Sequence, residues 1–76
     1  MKITEQDLIS YFEKKFGKEG ISLSSSLTND LGMDSLDQAE MVIYLEDILG
    51  EETPEEVAEN FRTVQDVWDY IQSKQQ

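Results

Sequence analysis

The feature that most constrains the fold is a helix-start signal that occurs four times in 76 residues. Three of these signals have the spacing of a capping box, in which a Thr or Asp is followed three residues later by an acid: Thr4 with Asp7, Asp34 with Asp37, and Thr63 with Asp66. The fourth is Thr53-Pro54-Glu55-Glu56, with the order N-cap, proline at N1 and glutamate at N3. Apolar residues at helical spacing follow each signal. The pattern predicts an all-α fold: a small four-helix bundle with three longer helices and a short third helix.

The predicted helices take up most of the chain. The first spans about residues 5–16, and the second runs from Ser35 to Leu49 and stops at Gly50, because glycine is the usual residue just past a helix end. The third is short because residues 60–63 interrupt the pattern, and residues 73–76 after the fourth are expected to fray. The side chains expected in the core are Leu8, Ile9, Phe12 and Phe16 of the first helix, Leu36, Ala39, Val42, Leu45 and Leu49 of the second, Val57, Ala58 and Phe61 of the third, and Val64, Val67, Trp68 and Ile71 of the fourth.

A long connection, residues 17–33, leads into the second helix. Connections longer than about 12–15 residues are uncommon in compact domains and are often functional. Leu27 and Leu31, four residues apart, predict a brief helical turn that anchors it. Ser35 then comes where loop becomes helix. As the first helical residue, it would hold its hydroxyl at the positive end of the helix dipole, where an attached phosphate is favoured.

Length and cysteine content limit what the chain can be. At 76 residues, we expect one domain over residues 1–76 with a single modest core. The chain has no cysteine, so it forms neither a disulfide nor a zinc–thiolate site. The sequence contains no apolar run of about 18 residues and no basic start followed by an apolar stretch, which argues against a membrane span and a secretory signal. We therefore expect a soluble, cytoplasmic monomer without stable membrane insertion.

The charge is strongly acidic and unevenly distributed. The net charge is −11, and the segment from Asp30 to Glu59 holds eleven acids and no Lys or Arg. A surface of one sign repels nucleic acid and anionic membranes and attracts partners with basic patches. Ile43, close to Asp37, Glu40 and Asp47, fits an apolar spot inside an acidic docking face. The alternative is that the acids only keep the protein soluble.

Catalysis and metal binding find little support in the residue inventory. Ser35 lacks a partner for nucleophilic catalysis, because the chain has no histidine and no lysine lies near it in sequence. Its context also differs from the Gly-x-Ser-x-Gly elbow. An EF-hand loop beginning at Asp30 would have Gly32 at position 3 and Ser35 at position 6, where the motif needs an oxygen ligand and a glycine. The sequence predicts neither an enzyme nor a metal site.

The octapeptide Asp30-Leu31-Gly32-Met33-Asp34-Ser35-Leu36-Asp37 resembles the attachment motif of the acyl carrier proteins, in their freestanding (type II) form. Further agreement comes from Glu40, Leu45-Glu46-Asp47, Thr53-Pro54-Glu55-Glu56, Ala58-Glu59 and Thr63-Val64-Gln65-Asp66. The resemblance implies that Ser35, flanked by Asp34 and Leu36, carries 4′-phosphopantetheine. A separate Mg-dependent holo-carrier synthase, a phosphopantetheinyl transferase, would deliver this group from coenzyme A.

The same resemblance implies a carrier of acyl intermediates, held as thioesters on the arm and delivered to acyl transferases, ketosynthases and other acyl-chain enzymes. The pathway would be fatty-acid or related biosynthesis. Residues implied in partner recognition are Asp37, Glu40, Ile43, Glu46 and Asp47. Those implied in an acyl pocket between the second and third helices are Val42, Leu45, Ala58, Phe61 and Tyr70.

Five positions depart from the usual pattern of the family: Leu27, Tyr44, Leu49, Thr53 and Arg62. None of these changes touches Ser35, but they bear on the size of the acyl pocket and on the set of partners. A specialised carrier for a polyketide, peptidyl or other dedicated pathway is therefore an alternative. Another is an acidic helical adaptor that binds a basic partner without being modified.

Overall fold

Capping boxes begin three of the four helices found in residues 2–75, the part of the chain that the computed structural model describes. These helices are α1 (Glu5–Phe16), α2 (Ser35–Leu49) and α4 (Val64–Lys74). In each, the side chain of the N-cap residue accepts a hydrogen bond from the backbone of the third helical residue, whose carboxylate accepts one from the N-cap backbone in return. Gly17 and Gly50 end α1 and α2 in the left-handed conformation, with φ of 63° and 70°. The all-α prediction is confirmed.

The short helix α3 (Glu55–Glu59) begins differently from the prediction. Pro54, not Thr53, is its N-cap, and no side chain caps it. Thr53 is buried, and its backbone N–H donates to the Glu46 carboxylate at 3.0 Å. The prediction of a Thr53 cap is wrong because burial against α2 keeps the hydroxyl from the first turn of α3. At the other end Arg62 Nη1 donates to the Glu59 carbonyl at 2.7 Å, which places a cation at the negative end of the helix.

The core is built around α4, which packs against both α1 and α2. All three of its buried side chains, Val64, Val67 and Ile71, are fully inaccessible. They meet the fully buried residues Leu8 and Phe12 of α1 and Met41 and Leu45 of α2. Ile9, Phe16, Leu49, Phe61 and Trp68 are partly buried against this cluster.

The core face predicted for α2 is wrong for two of its residues. Leu36 is 67% exposed and Ala39 is exposed, whereas Met41, which is not among the expected core residues, is fully buried. Because α2 carries apolar residues on two sides, its periodicity does not say which side receives α1 and α4. The side that contains Met41 and Leu45 does, so the stripe of Leu36, Ala39 and Ile43 faces solvent.

The connection between α1 and α2 is pinned to the start of α4. Leu27 N–H donates to the Arg62 carbonyl at 2.9 Å, and Val64 N–H donates to the Ser25 carbonyl at 3.1 Å. The predicted turn is present, since residues 27–31 form consecutive turns and Leu27 and Leu31 are both buried. These contacts hold the approach to α2 in place, and with it the position of Ser35.

The C-terminal residues that were expected to fray are instead ordered by contacts with the N-terminal segment. Helix α4 continues to Lys74. The Gln75 side chain accepts a hydrogen bond from Ile3 N–H at 3.1 Å and donates one to the Ile3 carbonyl at 2.8 Å. These two bonds pair the side-chain amide with the backbone of Ile3, which explains the difference. Gln76, also expected to fray, lies outside the described residues.

Candidate functional site

Ser35 stands exposed as the first residue of α2. Before it, Asp34 Oδ1 accepts a hydrogen bond from Asp37 N–H at 2.9 Å, and Asp37 Oδ2 accepts one from Asp34 N–H at 3.2 Å. These reciprocal bonds fix the first turn of the helix. The Ser35 hydroxyl takes part in none of the hydrogen bonds found within residues 2–75. The structure therefore presents this oxygen to another molecule at the N-terminus of a helix.

The groups around Ser35 are poor bases. The hydrogen bond from the Asp37 backbone N–H holds the pKa of the Asp34 carboxyl below its ordinary value. Lys15 reaches Asp37 and Glu40 from α1, and its hydrogen bond to Glu40 raises the pKa of the amine above its ordinary value, which keeps it protonated. The chain also has no histidine that could act as a general base.

The acidic segment from Asp30 to Glu59 contains no Lys or Arg, but lysines from other parts of the chain contact it in the structure. Lys15 forms an ion pair with Glu40, and its ammonium nitrogen lies 3.9 Å from Asp37 Oδ1. Lys74 pairs with Glu51 at 3.2 Å, and Lys18 donates to the Asp30 carbonyl at 2.8 Å. No local pattern could reveal these pairs, because each joins residues at least twelve positions apart that packing brings together.

Two cavities meet at Ser35, one on each side of the contact between α2 and α3. The inner cavity has a volume of about 230 Å³ and leads toward the core; its walls are Leu27, Thr28, Met33, Asp34, Ser35, Gln38, Met41, Ala58 and Phe61. The α2–α3 groove is more open, with about 450 Å³, and is lined by Ser35, Gln38, Ala39, Val42, Ile43, Thr53, Glu55, Ala58 and Glu59. Gln38 Nε2 donates to the Ala58 carbonyl at 3.1 Å, and both residues line both spaces. This bond therefore joins the two helices between the cavities.

The residues expected in an acyl pocket are distributed over several parts of the molecule. Val42 lines the α2–α3 groove, Phe61 lines the inner cavity, and Ala58 lines both. Leu45 is fully buried in the core. Tyr70 borders a separate depression on the other side of α3. Sequence reasoning missed Gln38 and Met41; the Gln38 side chain gains its place only when α3 packs onto α2, and Met41 gains its place in the core.

Two hydroxyls within residues 2–75 are buried without a hydrogen-bond partner, those of Thr53 and Tyr70. Thr53 is 8% exposed and lines the α2–α3 groove with Ser35. The Tyr70 ring packs edge-on against Phe61, with centroids 5.8 Å apart, in the separate depression. Buried polar groups are nearly always paired in folded proteins, so both are unusual.

The residues implied in partner recognition lie along α2, and three of the five already contact other parts of the protein. Ile43 is 60% exposed and Asp47 is exposed. Glu40 and Asp37 are already held by Lys15. Glu46 accepts the bond from Thr53 N–H, so it also anchors the segment before α3. No helix in residues 2–75 combines the length and the apolar composition needed to cross a bilayer.

Comparison with known proteins gives one consistent result. Residues 6–71 match the model of a family described as the phosphopantetheine attachment site. The chain is 43% identical over 58 residues to an acyl carrier protein of Treponema denticola, covering 76% of this chain and 74% of that protein. It is 46% identical over 54 residues to an acyl carrier protein of Syntrophobacter fumaroxidans, covering 71% of this chain and 67% of that protein.

Solved structures agree with these sequence matches. A Mycobacterium tuberculosis protein assigned as an acyl carrier protein superposes with a TM-score of 0.82 at 27% identity, over 91% of this chain and 95% of that one. An acyl carrier protein of Thermotoga maritima superposes with a TM-score of 0.74 at 28% identity, over 92% and 88%. The four-helix architecture described above is the fold of these proteins.

Proposed function

This chain belongs to the acyl carrier proteins, whose phosphopantetheine-attachment domain it contains, and from that premise we propose that Ser35 is the attachment point and that the protein delivers acyl intermediates to biosynthetic enzymes. Members of the family are non-catalytic carriers of a covalently attached 4′-phosphopantetheine. When bound, that group supplies a thiol that holds acyl chains as thioesters. The pathway proposed is fatty-acid or related acyl-chain biosynthesis.

One observation carries the assignment to Ser35: its exposed hydroxyl at the first position of α2, beside two cavities. A phosphate joined to this oxygen would lie near the positive end of the helix dipole, which stabilises its charge. The Asp34–Asp37 capping box holds the serine there, since it fixes the first turn. A chain without cysteine has no thiol of its own, in agreement with a borrowed one.

The partner surface proposed is the outward stripe of α2. Leu36 and Ile43, both well exposed, lie two turns apart on one side of the helix, and Glu40 lies between them. Asp47 continues the stripe by one turn. An apolar strip with carboxylates beside it complements a partner whose shallow apolar site is bordered by Lys or Arg. Such a surface fits a holo-carrier synthase as well as the acyl-chain enzymes.

The shelter proposed for the acyl chain is still the space between α2 and α3, but its lining differs in part from the residues expected from sequence. Val42, Ala58 and Phe61 keep their proposed role, since they line the cavities beside Ser35. Leu45 supports the wall from the core, where it is fully buried. Tyr70 receives no role in this proposal, because its depression does not include Ser35.

Intact mass spectrometry tests the central assignment. We expect the wild-type chain to gain the mass of one phosphopantetheine group after incubation with coenzyme A and a holo-carrier synthase, and Ser35→Ala to gain none. Ser24→Ala, at an exposed serine of the connection, is the matched control and should be modified like wild type. An adduct on Ser35→Ala, or none on wild type, would contradict the proposal.

The alternative of an unmodified adaptor makes a different prediction. Such a protein would keep its binding to a basic partner in Ser35→Ala and lose it on charge reversal at Glu40 and Asp47.

A specialised carrier is the second candidate, and the presence of Thr53, a polar residue, in the lining of the α2–α3 groove favours it. A groove for a plain hydrocarbon chain gains nothing from a polar residue in its lining. To separate the candidates, the holo protein is purified from its native source, its acyl group is released with hydroxylamine, and the product is identified by mass. A saturated acyl group would support the general fatty-acid carrier.

A further inference from the structure

Two carboxylates on the outward stripe of α2 differ in whether the protein already uses them. Glu40 and Asp47 lie about two turns apart on the same side of the helix, and Ile43 lies between them. Glu40 is paired with Lys15 of α1. Asp47 is exposed and forms no ion pair within residues 2–75. The negative charge at one end of this stripe is therefore compensated from inside the protein, and the charge at the other end is free.

The Lys15 side chain is held against α2 by its surroundings. It is only 16% exposed, whereas the side chain of Glu40 is 49% exposed. Its ammonium donates a hydrogen bond to Glu40, lies 3.9 Å from Asp37 Oδ1, and lies 5.9 Å from the centroid of the Phe16 ring. Exposed ion pairs are weak partly because a free lysine loses entropy when it pairs. Packing already restricts this lysine, so we expect its pair with Glu40 to persist when another protein approaches.

A basic residue of a partner therefore has to compete with Lys15 for Glu40. A Lys or Arg that approaches Glu40 meets a carboxylate that already accepts a hydrogen bond from an ammonium. It also meets the positive charge of that ammonium at close range, which repels it. A basic residue that approaches Asp47 meets neither obstacle. The difference between the two carboxylates arises from the contact between α1 and α2, and α2 alone does not determine it.

We propose that Lys15 is a specificity-determining residue, which keeps Glu40 paired within the protein and favours partners whose basic side chain lies opposite Asp47. The inference rests on the proposed function, because this stripe is the surface proposed to bind a holo-carrier synthase and acyl-chain enzymes. The partner that fits has an apolar site for Ile43 and a Lys or Arg one turn further toward the C-terminal end of α2. The effect expected from one partly exposed ion pair is about 2- to 5-fold in the dissociation constant.

A double-mutant cycle with a holo-carrier synthase tests this proposal. The dissociation constant is measured without coenzyme A, so that no modification takes place. In wild type, Glu40→Gln should change the dissociation constant by less than about 2-fold, since Lys15 remains beside Asp37. In Lys15→Met, which frees Glu40, the same substitution should weaken binding by about 2- to 5-fold. Asp47→Asn should weaken binding by a similar factor in both backgrounds.

Two further variants separate the ion pair from the net charge. Lys14→Met is the matched control, because it removes one positive charge at an exposed lysine that forms no ion pair within residues 2–75. In that background Glu40→Gln should have the same small effect as in wild type. Lys15→Arg keeps the cation and should also keep the effect of Glu40→Gln small. The melting temperature of each variant verifies that it is folded.

Equal losses on Glu40→Gln in the wild-type and Lys15→Met backgrounds would overturn the inference. Long-range attraction depends only on the summed charge, so it predicts that result. No loss in either background would also overturn it, because the partner would then make no use of Glu40 even when it is free. In both cases wild type would still gain the phosphopantetheine group once coenzyme A is added. Absence of that adduct by intact mass would overturn the carrier function as well, which distinguishes the two failures.

Discussion

Helix α2 is held on its two sides by contacts of different kinds. Toward α1, the rings of Tyr11 and Tyr44 stack in parallel, with centroids 3.8 Å apart and planes 5° apart. Phe12 lies edge-on to Tyr11 at 5.2 Å, and Lys15 ties α1 to Glu40. This side combines aromatic packing with an ion pair.

Toward α3, two hydrogen bonds and two cavities replace that packing. The bonds are Gln38 to the Ala58 carbonyl and Thr53 N–H to Glu46. The facing helix has only five residues and no side-chain cap. Regions with few buried apolar contacts open at lower free energy than the packed core. We therefore expect α3 to open away from α2 at a lower free energy than α1 does.

The largest expected effect comes from removing the aromatic stack. Tyr44→Ala should lower the free energy of unfolding by about 2–3 kcal/mol, somewhat less than for a fully buried aromatic side chain, because Tyr44 is half-buried. Tyr44→Phe keeps the ring and should stay within about 0.5 kcal/mol of wild type. Urea unfolding of the three proteins measures this. Equal losses in both variants would show that the hydroxyl, not the stack, stabilises this side.

A smaller effect is expected where α2 meets α3. Gln38→Ala removes the bond to the Ala58 carbonyl and should cost about 1 kcal/mol. Native-state hydrogen exchange should become faster in α3 and remain unchanged in α1, because α3 loses one of its few attachments. If exchange in α1 accelerates to the same degree, the two sides are not independent and the comparison fails.

The Lys15 ion pair should contribute less still. Lys15→Met is expected to lower the free energy of unfolding by less than about 1 kcal/mol at low ionic strength, since partly exposed ion pairs are weak. The deficit should shrink when salt screens the interaction. Lys14→Met is the matched control, because Lys14 is exposed and forms no ion pair within residues 2–75. A deficit independent of salt would point to lost packing of the lysine stem instead.

Alkaline pH should weaken the α1 side gradually. Burial raises the pKa of the Tyr11 and Tyr44 phenols above their ordinary value, and the Glu40 hydrogen bond raises that of Lys15. A raised pKa means that the folded protein holds the proton more tightly than the unfolded chain. The resulting stability is complete below the unfolded pKa values of about 10 and is lost as pH rises through the folded values. Melting temperatures from pH 8 to 11 should therefore fall, and less steeply in Tyr44→Phe.

Local chemistry made much of this molecule predictable. The bounds of α1 and α2 and the three capping boxes follow from side chains within four residues of the backbone groups that they satisfy. The position of Ser35 as the first residue of α2 follows from the same signal. These features need no knowledge of the rest of the fold.

Other features could not be predicted in this way. The choice of Met41 over Leu36 for the core depends on which side of α2 receives α1 and α4, and both sides are apolar. Thr53 satisfies the composition of an N-cap, yet its burial against α2 overrides that preference.

The chain's own order of residues thus determined where each longer helix begins and which hydroxyl stands at the tip of α2. Tertiary structure alone decided that Lys15 neutralises Glu40, that Gln38 joins α2 to α3, and that Thr53 is buried beside the groove that starts at Ser35. The physical reason is the separation of the contacting residues along the chain. A helix cap forms through hydrogen bonds between residues a few positions apart, whereas a cavity or a contact between two helices exists only after distant segments pack together.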